Sequence, residues 1–145
     1  MVDRIDIHIE VLVVKNHGLA SRGAGESSSE IKERIDSVWR IQLNRFKGLK
    51  IYCNAQMTNR HIKKFCQIDE ASQKLLEMAI DKFGLSARAY TRILKVARTI
   101  ADLEDQENIQ PAHLSEAIQY RSLDRNLIAW IRYQKWYMSL FIQTY

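Results

Sequence analysis

Residues 83–102 read FGLSARAYTRILKVARTIAD, and this stretch decides the fold. Gly84 can end one helix, because glycine readily adopts the left-handed conformation, and Ser86 can cap the next, because its hydroxyl accepts a hydrogen bond from a free backbone N–H. Apolar side chains then recur at helical spacing on one face: Tyr90, Leu94, Ala97 and Ala101. The stretch therefore predicts a long amphipathic helix with a buried face.

Helices are also predicted on the amino-terminal side of this stretch. Ser27 and Glu30 have the spacing of a capping box. The helix that follows carries an apolar stripe of Ile31, Ile35, Val38, Gln42 and Phe46. A turn around Gly48 and a short helix over residues 59–65 come next. Asp69 then caps a helix with Ala71, Leu75, Met78, Ala79 and Phe83 on one side.

On the carboxyl side, Gln110 and Pro111 open a last regular helix, in which we expect Leu114, Ala117 and Ile118 to be buried. Residues 26–122 therefore form an all-α bundle with short connections. The predicted fold class is mainly α, with one residual β-strand before the bundle.

That strand is predicted at residues 5–14, which read IDIHIEVLVV. Apolar and polar residues alternate there, which is typical of a strand with one buried face. The nearby sequence offers no partner strand, and a lone strand is not stable. We infer that its sheet lies elsewhere and that the chain is a piece of something larger, with residues 15–25 as a loop or linker.

Composition indicates a soluble globular protein of one domain, or one domain with a fragment of another. The chain has 145 residues, 46% hydrophobic and 27% charged, and a net charge of +5, which permits an anionic partner without requiring one. No segment has the pattern of a transmembrane helix or a signal peptide. Cys53 and Cys66 are too few for a disulfide scaffold or a zinc site, and Cys66 is expected to be buried. We expect a reducing, cytoplasmic setting.

Motifs for complete catalytic sites are absent from the sequence. It contains no G-x-x-x-x-G-K-[ST] phosphate loop, no G-x-G-x-x-G after a strand, no H-E-x-x-H and no G-x-S-x-G. The four histidines lack metal-ligand spacing, so no metal site is predicted.

Arg88 breaks a local rule. It lies in the first turn of the helix that Ser86 caps, where a cation opposes the helix dipole by roughly 0.3–1 kcal/mol. A bound anion would reverse that penalty, because the guanidinium and the free N–H groups would both face it. Arg92, Lys95 and Thr99 continue down the same face, and the alternative is a solvated basic face. Arg4, directly before the strand, could likewise contact a phosphate or be an ordinary exposed terminal arginine.

Several separated segments resemble the carboxy-terminal region of magnesium-chelatase-like AAA+ ATPases, the YifB/ComM family. The resemblance covers roughly residues 1–125 and keeps the order of its motifs: DRIDIH (3–8), GESSSEIKERI (25–35), CNAQM (53–57), FGLSARAYTRILKVARTIAD (83–102) and HLSEAIQYRSLDR (113–125). It implies that residues 1–25 are the last strand and linker of an ATPase core and that residues 26–125 are its helical lid.

The resemblance also implies functional residues. Arg88 matches the sensor-2 arginine that touches the γ-phosphate from the lid, with Ser86 and Arg92 as further nucleotide-binding candidates, and Arg4 matches the arginine finger. The full-length protein would bind ATP and Mg²⁺. Its partners would be the AAA+ core of the same or a neighbouring subunit, in a homo-hexamer that remodels DNA during transformation and recombination, with no role for a membrane.

This sequence departs from the family pattern in two ways. Walker A, Walker B and sensor-1 segments are missing, so we expect this chain alone neither to carry a cofactor nor to hydrolyse ATP. Family members also end near residues 122–125, whereas residues 126–145 continue as an aromatic-rich segment without acids. Its simplest interpretation is a helix that packs on the bundle or on a second copy, and the alternative is the product of a shifted or truncated reading frame.

Two other classes of function stay open. A stand-alone helical module could bind nucleic acid through Arg88, Arg92 and Lys95, with an affinity that falls steeply with salt. A plain interaction domain could instead dimerise through residues 126–145.

Overall fold

The computed structural model describes residues 5–9, 11 and 25–121. Within these ranges the mainly α fold is confirmed, and no residue lies in a strand. The elements are α1 (Ser28–Arg45), a 3-10 turn (Asn54–Gln56), α2 (Asn59–Phe65), α3 (Glu70–Phe83) and α4 (Ala87–Leu103), followed by α5, which is helical from 111 to 121.

The predicted helix ends are confirmed. Ser27 and Glu30 form the capping box of α1, in which the Glu30 carboxylate accepts from the Ser27 N–H at 2.8 Å. The Asp69 carboxylate accepts from a first-turn N–H of α3. Gly84 ends α3 in the left-handed conformation at φ 58°, where a side chain would be strained. These caps fix where each helix begins and ends before any packing is considered.

Helix α4 lies at the centre of the bundle and contacts α1, the 3-10 turn and α2. Its residues Ile93, Leu94, Ala97 and Ala101 are buried, together with Leu76 of α3 and Leu114 of α5. Leu114, Ala117 and Ile118 are buried as predicted. The helix that decided the fold in the sequence is therefore the one around which the others pack.

Two predicted faces differ from the structure. Helix α3 buries Ser72, Leu76 and Ala79, so its inner face is rotated about the helix axis relative to the predicted face. Met78, which was predicted on the inner side, is 67% exposed. In α1, the stripe is buried from Val38 onward, whereas its first part, with Ile31 and Ile35, is exposed. The first turns of α1 extend beyond the partners that would cover them among the described residues.

The predicted strand at residues 5–14 is not formed in its described part. Residues 5–9 and 11 are neither helix nor strand, and the predicted inner side chains are exposed, Ile7 by 48% and Ile9 by 70%. The described residues offer no strand with which this segment could pair. It lies against α5 instead, where the His8 N–H donates to the Tyr120 carbonyl at 3.0 Å and Arg121 Nη1 donates to the Ile5 carbonyl at 3.0 Å.

Arg4 and residues 126–145 lie outside the described residues. Each helix within the described ranges is too short or too polar to cross a bilayer.

Candidate functional site at the start of α4

The first turn of α4 presents one arginine to solvent. Ser86 has the extended conformation of an N-cap, with φ −74° and ψ 161°, and its hydroxyl accepts from the Ala89 N–H at 3.4 Å. Arg88, the second residue of the helix, is exposed. Its guanidinium makes no hydrogen bond or ion pair with the residues that the structure describes. The site can therefore offer a cation beside the positive end of a helix dipole to an incoming anion.

The rest of the predicted basic face is already engaged. Arg92 pairs with Asp6 at 2.8 Å between Nη1 and Oδ1. Lys95 Nζ donates to the Ala55 carbonyl at 2.8 Å, and the Thr99 hydroxyl accepts from the side chain of Asn54. The stripe that the sequence suggested is therefore mostly a set of internal contacts, and Arg88 alone of its three cations has no partner among the described residues.

Residues 5–9 form one wall of a groove beside α4. The groove has a volume of about 370 Å³ and is mainly apolar, with Ile7 and Ile9 on one side and Val96 and Ile100 on the other. Asp6 lies between two arginines, Arg92 at 2.8 Å and the buried Arg121 at 3.9 Å. These contacts tie the amino-terminal segment to the helix that carries Arg88.

The structure thus brings three of the four predicted site residues together. Ser86, Arg88 and Arg92 lie within two turns of α4, because residues four apart share one helix face. Arg4, the fourth, is outside the described residues, although Asp6 near it in the chain is held by Arg92.

Sequence reasoning missed a buried polar cluster beneath α4. Asp102 is fully buried and accepts from Arg45 Nη1 at 2.7 Å, Asn54 Nδ2 at 2.8 Å, Arg98 Nε at 3.0 Å and Gln42 Nε2 at 3.3 Å. A second contact joins the Arg45 Nη2 to the other carboxylate oxygen. The cluster joins α1 and the 3-10 turn to α4, so it fixes the position of the helix.

Arg98 extends this cluster to the loop after α4. Its Nη1 donates to the Glu107 carbonyl at 2.6 Å. Burial lowers the pKa of Arg98, and the neighbouring Asp102 opposes that shift. The only signal in the sequence was the spacing of Arg98 and Asp102, four residues apart on one helix.

Cys66 is buried, as the sequence predicted, and burial raises the pKa of its thiol to about 11. Cys53 is half-buried, and both thiols are free. In the described part of the chain, no three His, Cys, Asp or Glu side chains lie close enough to share a metal ion. The polar cluster consists of arginine–carboxylate contacts between Asp102 and both Arg45 and Arg98, which is the chemistry of a structural ion pair.

Comparison with known proteins gives a consistent family assignment. The family model described as the C-terminal part of magnesium chelatase subunit ChlI matches residues 25–121. The competence protein ComM of Haemophilus influenzae is 39% identical over 127 residues, which is 87% of this chain and 24% of ComM. The YifB proteins of Salmonella typhimurium and Escherichia coli are 40% and 37% identical over 88% of the chain and 24% of their own length. The chain thus spans about a quarter of the length of these relatives.

Proposed function

The chain belongs to the magnesium chelatase subunit ChlI C-terminal family, as the C-terminal domain of a ComM/YifB-type protein, and from this membership we propose that it works as the helical lid of an AAA+ ATPase. A lid of this kind moves relative to the nucleotide-binding core and so transmits the state of the nucleotide. The core would come from the same or a neighbouring subunit of a homo-hexamer. The polymer on which such a motor would act is DNA, as the resemblance to the YifB/ComM family implies.

Arg88 is the observation that carries the proposal. An exposed guanidinium in the first turn of a well-capped helix costs stability and has no partner among the described residues. A γ-phosphate at this helix start would receive the guanidinium and the free N–H groups together. Arg88 would then act as the sensor-2 arginine, stabilising the charge that develops on the transferring phosphoryl group.

The other predicted residues take supporting roles. Ser86 fixes the start of the helix by accepting from the Ala89 N–H, which leaves the earlier backbone N–H groups of the first turn for a ligand. Arg92 fits a phosphate less well than Arg88, because its guanidinium already pairs with Asp6. We assign Arg92 to fixing the amino-terminal segment on α4, and Arg4 to the arginine finger that reaches a neighbouring subunit.

ATP with Mg²⁺ is the cofactor that these residue roles imply. The exposed guanidinium of Arg88, which has no partner in the described part of the chain, suits a triphosphate. ATP with Mg²⁺ would supply the phosphoryl group and its charge-neutralising metal when bound to the core. The described residues of this chain lack a group that could hold the metal themselves. The proposal is that hydrolysis requires this chain together with the core.

A chimera tests the proposal. This chain replaces the matching C-terminal quarter of the Haemophilus influenzae competence protein, and steady-state ATP hydrolysis is measured without nucleic acid. Arg88→Ala should lower kcat by about 10²–10³-fold, the usual effect of removing one donor to a developing charge. Binding of ATP, followed with a fluorescent analogue, should persist.

Arg60→Ala is a matched control, because Arg60 is also the exposed second residue of a helix, α2. It should leave kcat unchanged. Equal rates for the Arg88→Ala chimera and the unsubstituted chimera would refute the sensor role, as would an equal loss in the Arg60→Ala control.

A further inference from the structure

Acidic residues are distributed unevenly along this chain. None lies between Ser37 and Ile68, although the chain has 17. The same stretch holds seven Lys and Arg residues. It therefore carries +7, more than the +5 of the whole chain, and the remainder is net acidic. Charge is thus concentrated in one part of the molecule, which is the electrostatic pattern of a polyanion-binding surface.

Five of these cations form a surface that we call the basic end: Lys47, Lys50, Arg60, Lys63 and Lys64. All five are exposed, and none forms an ion pair with another described residue. The other two cations of the segment already make contacts within the chain: Arg45 pairs with Asp102, and Arg40 donates to the Asp36 carbonyl at 3.2 Å.

A ring contact brings the two halves of the basic end together. Phe46, which follows α1, meets Phe65 at the end of α2 edge to face, with 5.4 Å between ring centroids. Lys47 and Lys64 are the chain neighbours of these two rings. Cations that are far apart in the sequence therefore share one end of the bundle.

Helix dipoles explain only part of this pattern. Lys63 and Lys64 lie in the last turn of α2, where cations complement the dipole. The same dipole opposes Arg60 in the first turn, and its effect does not reach the loop position of Lys50. Among the described residues, no acid pairs with any of the five, so the surface is left with its positive charge for an anionic partner.

An exposed aromatic side chain lies next to the basic end in the sequence. Tyr52 is 59% exposed and follows Lys50 by two residues, while its backbone N–H is held by the Gln56 side chain at 2.7 Å. An exposed ring on a fixed backbone, among cations, is typical of surfaces on which unpaired bases stack.

We propose that the basic end binds single-stranded nucleic acid, with the lysines on the phosphates and Tyr52 stacked on a base. This site goes beyond the proposed lid function and lies on other residues than Arg88. The proposed nucleic-acid surface therefore excludes Arg92 and Lys95, which the sequence suggested for this role, because both make contacts within the chain.

The test measures the fluorescence anisotropy of a labelled 20-nucleotide oligothymidylate with the complete chain, from 50 to 200 mM salt. The variant Lys47→Gln/Lys50→Gln removes two cations from the basic end. Lys32→Gln/Lys74→Gln removes two exposed cations that pair with acids on α1 and α3, and so matches the change in net charge. Circular dichroism verifies that all variants are folded.

We expect the slope of log K against log salt to fall by about 1.4 in Lys47→Gln/Lys50→Gln, from about 0.7 for each lost contact to a single strand. The matched pair should keep the full slope. Tyr52→Ala should weaken binding about 5- to 150-fold, the range that corresponds to the loss of one stacked base, and Tyr52→Phe should restore it.

Equal slopes for the two double variants would overturn the proposal, because the attraction would then come from net charge alone. Binding to phosphatidylserine vesicles without binding to the oligonucleotide would also overturn it and assign the surface to lipid. ATP and the ATPase core are absent from this assay, so its outcome is independent of the proposed role of Arg88.

Discussion

Removing the negative charge of Asp102 tests whether the buried cluster holds the bundle together. Asp102→Asn keeps the size of the side chain but leaves Arg45 and Arg98 without a counter-charge. Both arginines are poorly exposed, Arg98 by 3% and Arg45 by 15%. Removing one partner of a buried ion pair leaves a charge that neither water nor protein compensates.

The expected loss can be estimated from this geometry. Breaking a buried pair costs about 3–5 kcal/mol of unfolding free energy. We expect the lower end, about 3 kcal/mol, because Arg45 retains some water and Arg98 keeps the Glu107 carbonyl as an acceptor. In a domain of about 100 residues this corresponds to a fall in Tm of roughly 12–24 °C.

Urea unfolding followed by circular dichroism measures the change. The midpoint should fall while the m-value stays constant, since the same surface is exposed on unfolding. Asp36→Asn is the matched control: it breaks the exposed pair with Lys32 on α1, where a loss below about 0.5 kcal/mol is expected.

A double-mutant cycle separates the charge from the packing. Arg45→Met combined with Asp102→Asn should cost less than the sum of the two single changes, because one stranded charge disappears. A loss below about 1 kcal/mol for Asp102→Asn would contradict the reasoning, since that is the range of exposed pairs. Strict additivity would do the same.

Three further predictions concern the helix ends and the thiols. Hydrogen bonds from Ser27 lower the pKa of Glu30, so its stabilising effect is present above about pH 4.3 and is lost as the pH falls. The difference in unfolding free energy between Glu30→Gln and the unsubstituted chain should therefore shrink in acid. A difference that stays constant with pH would show that the negative charge of Glu30 does not stabilise the cap. Arg88→Gln should raise the unfolding free energy by about 0.3–1 kcal/mol, because it removes a cation from the first turn of α4; a loss in urea unfolding would show that Arg88 stabilises the fold. Because burial raises the pKa of Cys66 to about 11, a thiol reagent at pH 8 should modify Cys53 first and Cys66 only in urea; immediate reaction of both would place Cys66 at the surface.

The limits of sequence reasoning are clearest in α1. Its start was predictable because Ser27 and Glu30 interact across three residues, and that contact forms in any helix that begins there. Its packing was not, since Ile31 has the same spacing as the buried Val38 yet is exposed. Periodicity identifies a face of a helix, but it does not say how far along the helix a partner covers that face.

The candidate site divides in the same way. Arg88 could be identified from the sequence, because a cation in a first turn violates a local electrostatic rule. The pairing of Arg92 with Asp6 could not, because the two residues meet only when the amino-terminal segment lies against α4. That contact turned a predicted basic face into a single exposed arginine.

By itself, the sequence determined the helix boundaries, the all-α class and the exposed arginine at the start of α4. These depend on interactions within about four residues, which the backbone geometry fixes. Only the tertiary structure decided that Asp102 pairs with Arg45, which lies 57 residues away in the sequence. It also decided that the contact between Phe46 and Phe65 brings the cations of the basic end together. Such contacts join separate elements, so their energy depends on how all the helices pack at once.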